Sequence, residues 1–222
     1  MRIIAFTAHP DDEINCAGLL HKNFKEKGKN LLVCFTGNRQ RKKELAKSCR
    51  IIGTDHIVLG LKERSISMST KLLLKLKKII LGFKPDIAVI QRNDYHPDHQ
   101  EVFKIGLDTI EFASHGSRNN AWLIRKVLEM ESTNLFPYPD IIYDVTKEHP
   151  LKLKAFKAHK SQIQNKPFGR QYLVMTQLKA RFRGAQIGKE FGEAYKIHNM
   201  SIKGNFYPES RGLQRTRDLF KQ

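Results

Sequence analysis

Cysteine, acidic residues and long apolar runs are all scarce in this chain, and each scarcity removes a class of explanation. Three cysteines among 222 residues, Cys16, Cys34 and Cys49, are an odd number with no C-x-x-C spacing. They give no basis for a disulfide framework or a thiolate metal site, and reduced, buried thiols in a cytoplasmic protein are expected. No run of 18 uncharged apolar residues occurs, so no transmembrane helix is predicted. The amino terminus opens on a strand-like segment with no signal-peptide apolar region and cleavage site, so secretion is not expected. No internal repeat, low-complexity tract or G-x-G-x-x-G loop is found, and Gly37 is assigned to a turn.

Acidic residues number 22 against 40 lysines and arginines, a net charge of +18. Such an excess attracts polyanions: nucleic acid, anionic headgroups or phosphorylated sugars. Yet the lysines are spread over nearly every predicted helix and no nucleic-acid module motif accompanies them. A solvated basic surface is the plainer reading, and no specific nucleic-acid partner is predicted.

What is present is an alternation of strand and helix signals. Ile3–Ala8, Leu31–Phe35, His56–Leu61 and Asp86–Ile90 are short apolar runs without two-residue alternation, as in parallel strands buried on both faces. Between them, 13–27, 41–52 and 70–83 carry helical spacing, stopped by Gly28, Gly53 and Pro85 and, for the last, capped by Ser69 or Thr70. The basic, amphipathic 71–81 segment is read as a crossover helix in preference to a membrane-surface helix, because a strand follows at once. The predicted fold is α/β, a Rossmann-like doubly wound, mostly parallel sheet with a site at the carboxyl ends of its strands. Strands are also expected at 121–131 and 140–145 and a helix at 146–164, followed by a loop-rich remainder. One domain is expected over 1–210, with a charged, poorly ordered tail at 211–222.

Two clusters carry the chemistry. His9-Pro10-Asp11-Asp12-Glu13 follows the first strand, and His96-Pro97-Asp98-His99 follows the fourth. An H-P-D cluster alone reads as a turn with a helix cap, which explains the prolines but not histidine at both 9 and 99. His9, Asp12 and His99 make a two-imidazole, one-carboxylate set with room for water, the donor set of a hydrolytic zinc centre; zinc lowers the pKa of bound water towards roughly 7. Asp11, beside a ligand but differently directed, is the natural general base. His96 is placed to stabilise an oxyanion and protonate a departing amine, with Asp98 orienting it and holding it charged.

These motifs resemble the PIG-L (LmbE-like) family of zinc-dependent N-acetylglucosaminyl deacetylases. Ala8 to Glu13 reproduces its A-H-P-D-D-E motif and His96 to His99 its H-P-D-H motif. The resemblance implies zinc on His9, Asp12 and His99, a base at Asp11, and His96 with Asp98 on the oxyanion side. Arg41-Lys42-Lys43-Glu44 is similar to the segment whose arginine reaches the substrate. Tyr143–Thr146, His159-Lys160-Ser161-Gln162, Arg183-Gly184 and Phe191–Tyr195 extend the likeness to about residue 200. Lys62-Glu63-Arg64 departs from the family, which often has an aspartate there, and so does Asn15–Gly18, which lacks the usual glycines. Both leave the substrate open.

The activity implied is removal of an N-acetyl group from an amino sugar of N-acetylglucosamine type. The aglycone, anionic and lipid-linked groups included, is not specified, and a homo-oligomer is compatible with the sequence. An amidase acting on a larger conjugate is the enzymatic alternative. A basic nucleic-acid-binding module is the alternative from another class, but it would leave His9, Asp12 and His99 without purpose. Arg41 is equally readable as an ordinary exposed helix residue, His159 as a pocket-edge or surface residue, and His21, His56, His115, His149 and His198 as surface or hydrogen-bonded core positions.

Overall fold

A computed structural model of the chain describes residues 1–117, 120–165 and 167–199; the predicted tail at 211–222 lies outside the described residues. Seven strands form one sheet in the order β3-β2-β1-β4-β5-β7-β6. They are β1 (Arg2–Thr7), β2 (Lys29–Thr36), β3 (Asp55–Leu61), β4 (Ile87–Ile90), β5 (Lys126–Met130), β6 (Ile141–Asp144) and β7 (Gly192–Ile197). The first five are parallel, while β7 runs antiparallel to both β5 and β6. The sequence expectation of a doubly wound, mostly parallel sheet is what the structure shows.

The core explains the uninterrupted apolar runs. On β1, Ile3 and Ala5 join one buried cluster, with Leu20, Leu32, Leu45 and Val89. Ile4, Phe6 and Ala8 join the other, with Phe35, Leu76, Ile90 and Ile105. Both faces of the strand are covered, so polar alternation has no place. The helices are α1 (Ala17–Lys25), α2 (Arg39–Ile52), α3 (Thr70–Phe83), α4 (Pro97–Ser114), α5 (His149–Phe156), α6 (Lys160–Ile163) and α7 (Gly169–Ala185). Cys16, Cys34 and Cys49 are buried and unpaired, as expected. Among the described residues, no helix is long and apolar enough to cross a membrane.

Several expectations for the second half need correction. Residues 121–125 are not strand: Trp122 donates its backbone N–H to Ala113 O at 2.6 Å and its Nε1–H to Pro85 O at 2.8 Å, which holds the segment away from the ladder. The predicted 146–164 helix is two helices, α5 and α6, broken at His159, whose backbone leaves the helical region (φ −81°, ψ 62°). The supposedly loop-rich remainder contains α7 and β7.

The topology places the site. From β1 the chain winds outward through β2 and β3, then returns to lay β4 on the other side of β1. The crevice at the carboxyl ends of β1 and β4 is the switch point at which open α/β sheets bind ligands. One histidine cluster follows each of these two strands.

Candidate active site

The first cluster leaves β1 through a strained turn. Asp11 has φ 121°, ψ −19°, a left-handed conformation rare for a residue with a side chain. It is held from three directions. Its N–H donates to Glu13 Oε2 (2.9 Å), its carbonyl accepts from Ile14 N–H (3.3 Å), and its Oδ1 accepts from Arg41 Nη2 (2.9 Å). Strain that the surroundings fix so fully is typical of functional sites. Burial pushes the Asp11 carboxyl up to about 7, although the Arg41 charge works in the other direction.

Glu13 anchors this turn from behind. Fully buried, its Oε1 accepts from Ser48 Oγ and His159 Nε2, both at 2.6 Å. Burial disfavours its charge, but the His159 partner outweighs that and lowers its pKa. His159 is itself fully buried, and it breaks the helix in order to reach Glu13. Neighbouring Ser161 gives its N–H and hydroxyl to Glu44 on α2, at 2.9 and 2.6 Å. The H-x-S-Q resemblance thus marks a brace between α6, α2 and the Asp11 turn.

The second cluster opens α4, with His96 as its cap. His96 Nδ1 accepts the Asp98 N–H at 3.2 Å, so a neutral His96 carries its proton on Nε2. His9, His96 and His99 come together, with ring centroids 4.8–5.3 Å apart and one nitrogen from each within 4.8 Å of the others. Asp12 joins them: its Oδ2 lies 3.4 Å from His9 Nδ1 and its Oδ1 3.5 Å from His99 Nε2.

The remaining nitrogen of each of two rings is held by a carboxylate. His9 Nε2 meets Asp98 Oδ2 at 2.9 Å, and His99 Nδ1 meets Asp94 Oδ2 at 2.8 Å. Asp94 also accepts from Ser132 Oγ (2.6 Å) and the His96 N–H (2.8 Å). A carboxylate behind each imidazole is the usual way a metal-ligating histidine is oriented. The electrostatics agree. Burial opposes charge on His99, but Asp12 and Asp94 raise its pKa to about 10; burial likewise opposes the Asp12 carboxylate, but His99 and His9 hold it well below its ordinary range. The cluster demands positive charge at its centre.

The structure brings His9, Asp11, Asp12, His96, Asp98 and His99 together, as the motifs predicted, but it reassigns Asp98. Its carboxylate turns to His9 and to the Arg64 N–H (2.9 and 3.0 Å), and only its backbone touches His96. The Asp98 charge still raises the His96 pKa, as expected, but burial, then the His9 and His99 charges, lower it overall. Arg41 is not an exposed helix arginine. Its side chain is 11% exposed and donates to Pro10 O (2.6 Å), Asp11 Oδ1 and Glu63 Oε1 (2.8 Å), leaving Nε with no partner among the described residues. Glu63 and Arg64, noted as departures from the family, are thus part of the site.

Sequence reasoning missed Asp94, Glu13's anchoring role and Lys179. Asp94, five residues before His99, was signalled only by its nearness to the motif. Lys179 on α7 donates to Asn15 Oδ1 (2.8 Å), Ser132 O (2.9 Å) and Glu131 O (3.2 Å), and burial pushes it down to about 7. It ties the turn after Asp12 to the segment that supports Asp94. The cluster borders a cavity of about 480 Å³, whose far wall includes Phe156, Phe168, Tyr172 and Met175.

Fold and site together define a doubly wound α/β domain with a braced histidine–aspartate cluster at its switch point. Residues 4–110 match the family model described as GlcNAc-PI de-N-acetylase, so the chain carries a PIG-L family domain over that span. No curated protein matches the chain. Among solved structures, it is similar to the conserved protein TT1542 from Thermus thermophilus (18% identity, TM-score 0.80, covering 93% of this chain and 98% of that one). It is similar to the N,N'-diacetylchitobiose deacetylase from Pyrococcus horikoshii (21%, 0.76, 89% and 83%). GalB, the 4-carboxy-2-hydroxymuconate hydratase from Pseudomonas putida, is also similar (14%, 0.80, 93% and 99%). These likenesses establish the fold, and the hydratase among them is a reminder that one fold hosts several reactions.

Proposed function

We propose that the protein is a metal-dependent hydrolase that removes the N-acetyl group from an amino sugar, releasing acetate and a free amine. One observation carries this reading: His9 Nδ1, His99 Nε2 and both oxygens of Asp12 converge, and each imidazole is braced from behind by its own carboxylate. This favours His9, Asp12 and His99 as the ligands over a set that includes His96, whose ring has no carboxylate behind it. A divalent cation held there, with zinc preferred by this N/O donor set, supplies a Lewis acid.

The remaining roles belong to side chains around the cluster. Asp11, fixed by Arg41 and Glu13, takes a proton from the attacking water as its oxygen bonds to the amide carbon. His96, with its proton on Nε2, donates a hydrogen bond to the developing oxyanion, and Asp11 returns the proton it took from water to the nitrogen as the C–N bond breaks. Arg41 orders the loop through Pro10 O and Asp11 Oδ1. Support comes from the PIG-L match, and the deacetylase similarity is consistent with it. Asp98 serves here by orienting His9.

The test combines metal analysis with turnover on acetylated amino sugars. His99→Ala should lose the metal. Asp11→Asn should keep it and lose at least about a hundredfold in turnover, the usual general-base contribution. Full metal content in His99→Ala would remove the ligand assignment. Metal retention with no acetate released from any acetylated amino sugar would point to another reaction on this fold.

A further inference from the structure

Helix α7 is inverted. A surface helix normally turns its apolar stripe to the core, but α7 turns Lys179, Ala180, Arg183 and Gly184 inward. At 100° per residue, Val174, Leu178 and Phe182 share the opposite face, 51, 57 and 51% exposed, with Met175 beside them. Exposed Phe168 and Tyr172 extend the stripe to the cavity mouth. Val174, Leu178 and Phe182 on one outward strip, continued by the exposed cavity-wall residues Met175, Tyr172 and Phe168, exceed the scattered exposure of an ordinary surface and mark a contact face.

Charge selects the occupant. Exposed Arg170 and Arg181 flank the stripe, with Glu190 the acid beside Arg181 at 3.8 Å. A second copy would bring the same arginine-flanked face and the same net +18, so like charges oppose self-association here. An anionic bilayer complements both features, taking apolar side chains at the headgroup–acyl boundary and pairing arginines with phosphates. We propose that α7 is an interfacial helix that docks the protein on anionic membranes, with the cavity mouth at the bilayer surface. This does not depend on the deacetylase reading.

The experiment is flotation of the full chain with vesicles of phosphatidylcholine alone or mixed with phosphatidylglycerol. Binding should require phosphatidylglycerol and weaken as salt is raised. Leu178→Asp and Phe182→Asp should each lower partitioning at least about threefold, since roughly half of each side chain remains to be buried on docking. Neither residue borders the cavity, so both variants should keep the wild-type thermal midpoint. Arg170→Glu leaves the stripe intact and should weaken binding selectively to the anionic vesicles. Absence of binding, or undiminished binding by both aspartate variants, overturns the proposal. So does sedimentation showing that they convert an oligomer to a monomer, because a second copy would then occupy the face.

Discussion

Replacing Glu13 by glutamine changes one atom and removes the carboxylate that accepts from three donors behind the Asp11 turn. The two carboxylate oxygens meet three donors: Ser48 Oγ and His159 Nε2 on one, the Asp11 N–H on the other. A glutamine has one oxygen and an NH2 group. If the oxygen keeps the Asp11 N–H, the NH2 must donate to Ser48 Oγ and to a neutral His159 whose proton has moved to Nδ1, a buried nitrogen with no partner among the described residues. If the oxygen serves Ser48 and His159, the backbone bond that holds Asp11 at φ 121° is replaced by donor–donor repulsion. A buried group left unsatisfied costs about 1–3 kcal/mol. For a domain of this size that is a fall in thermal midpoint of about 2–12 °C. A displacement near 1 Å at Asp11 is enough for about a hundredfold loss of turnover. Scanning calorimetry and single-turnover acetate release on metal-loaded Glu13→Gln measure the two effects separately. Glu13→Ala should lose more stability, because it leaves Ser48 Oγ, His159 Nε2 and the Asp11 N–H without their shared acceptor. A Glu13→Gln protein with wild-type midpoint and turnover would refute the claim that this carboxylate holds the catalytic turn.

Three other outcomes follow from the geometry. Asp94→Asn should weaken metal affinity about 10–100-fold in chelator competition, and an unchanged affinity would remove Asp94 as the support of His99. Arg41→Met should lower kcat more than it raises KM, because two of its bonds, to Pro10 O and Asp11 Oδ1, order the Asp11 loop; a change in KM alone would make it a substrate-binding residue only. His149 is buried, stacked on Phe191 (centroids 3.7 Å, 8°), and neither ring nitrogen has a partner among the described residues; burial, then Lys152, lower its pKa to about 4. The unfolded chain, titrating near the ordinary value of about 6.5, binds the proton first, so this contribution is present above that pH and is lost as pH falls towards 4. It amounts to about 2–3 kcal/mol by pH 4. His149→Phe, which keeps the stack, should flatten the fall in urea midpoint over this range, and an equally steep fall would contradict the assignment.

The parallel core and the chemistry of the site were legible because both rest on local patterns. A strand buried on both faces writes itself as an uninterrupted apolar run, and β1 and β4 each end in a histidine cluster. Long-range features were not legible. Helix α7 hides because its inward face carries Lys179 and Arg183, paired with backbone carbonyls and Glu131 of the distant segment that follows β5. β7 hides because its buried Glu193 is satisfied by Lys152, Tyr195 and two N–H groups at the start of α1. His149, expected at the surface or hydrogen-bonded in the core, is neither. The turn of Asp98 towards His9 had no signal in its spacing, which places it equally near His96. Gly18 is the converse case: a Cβ there would lie 2.5 Å from Val145 Cγ1 and 2.9 Å from Glu193, so glycine is required by contacts with strands far along the chain.

The position of β7 has a consequence for how the chain is made. β6 is finished by residue 144, yet among the described residues its only hydrogen-bonded neighbour is β7, which also lies against β5. Until residue 197 leaves the ribosome, β5 keeps one open edge and β6 has no ladder at all. Such edges invite pairing with other chains, and joining strands so far apart in sequence is slow. Biosynthesis therefore includes an interval in which the PIG-L segment is complete while the sheet is not, so nascent chains paused short of β7 should be the species that chaperones engage and that aggregates.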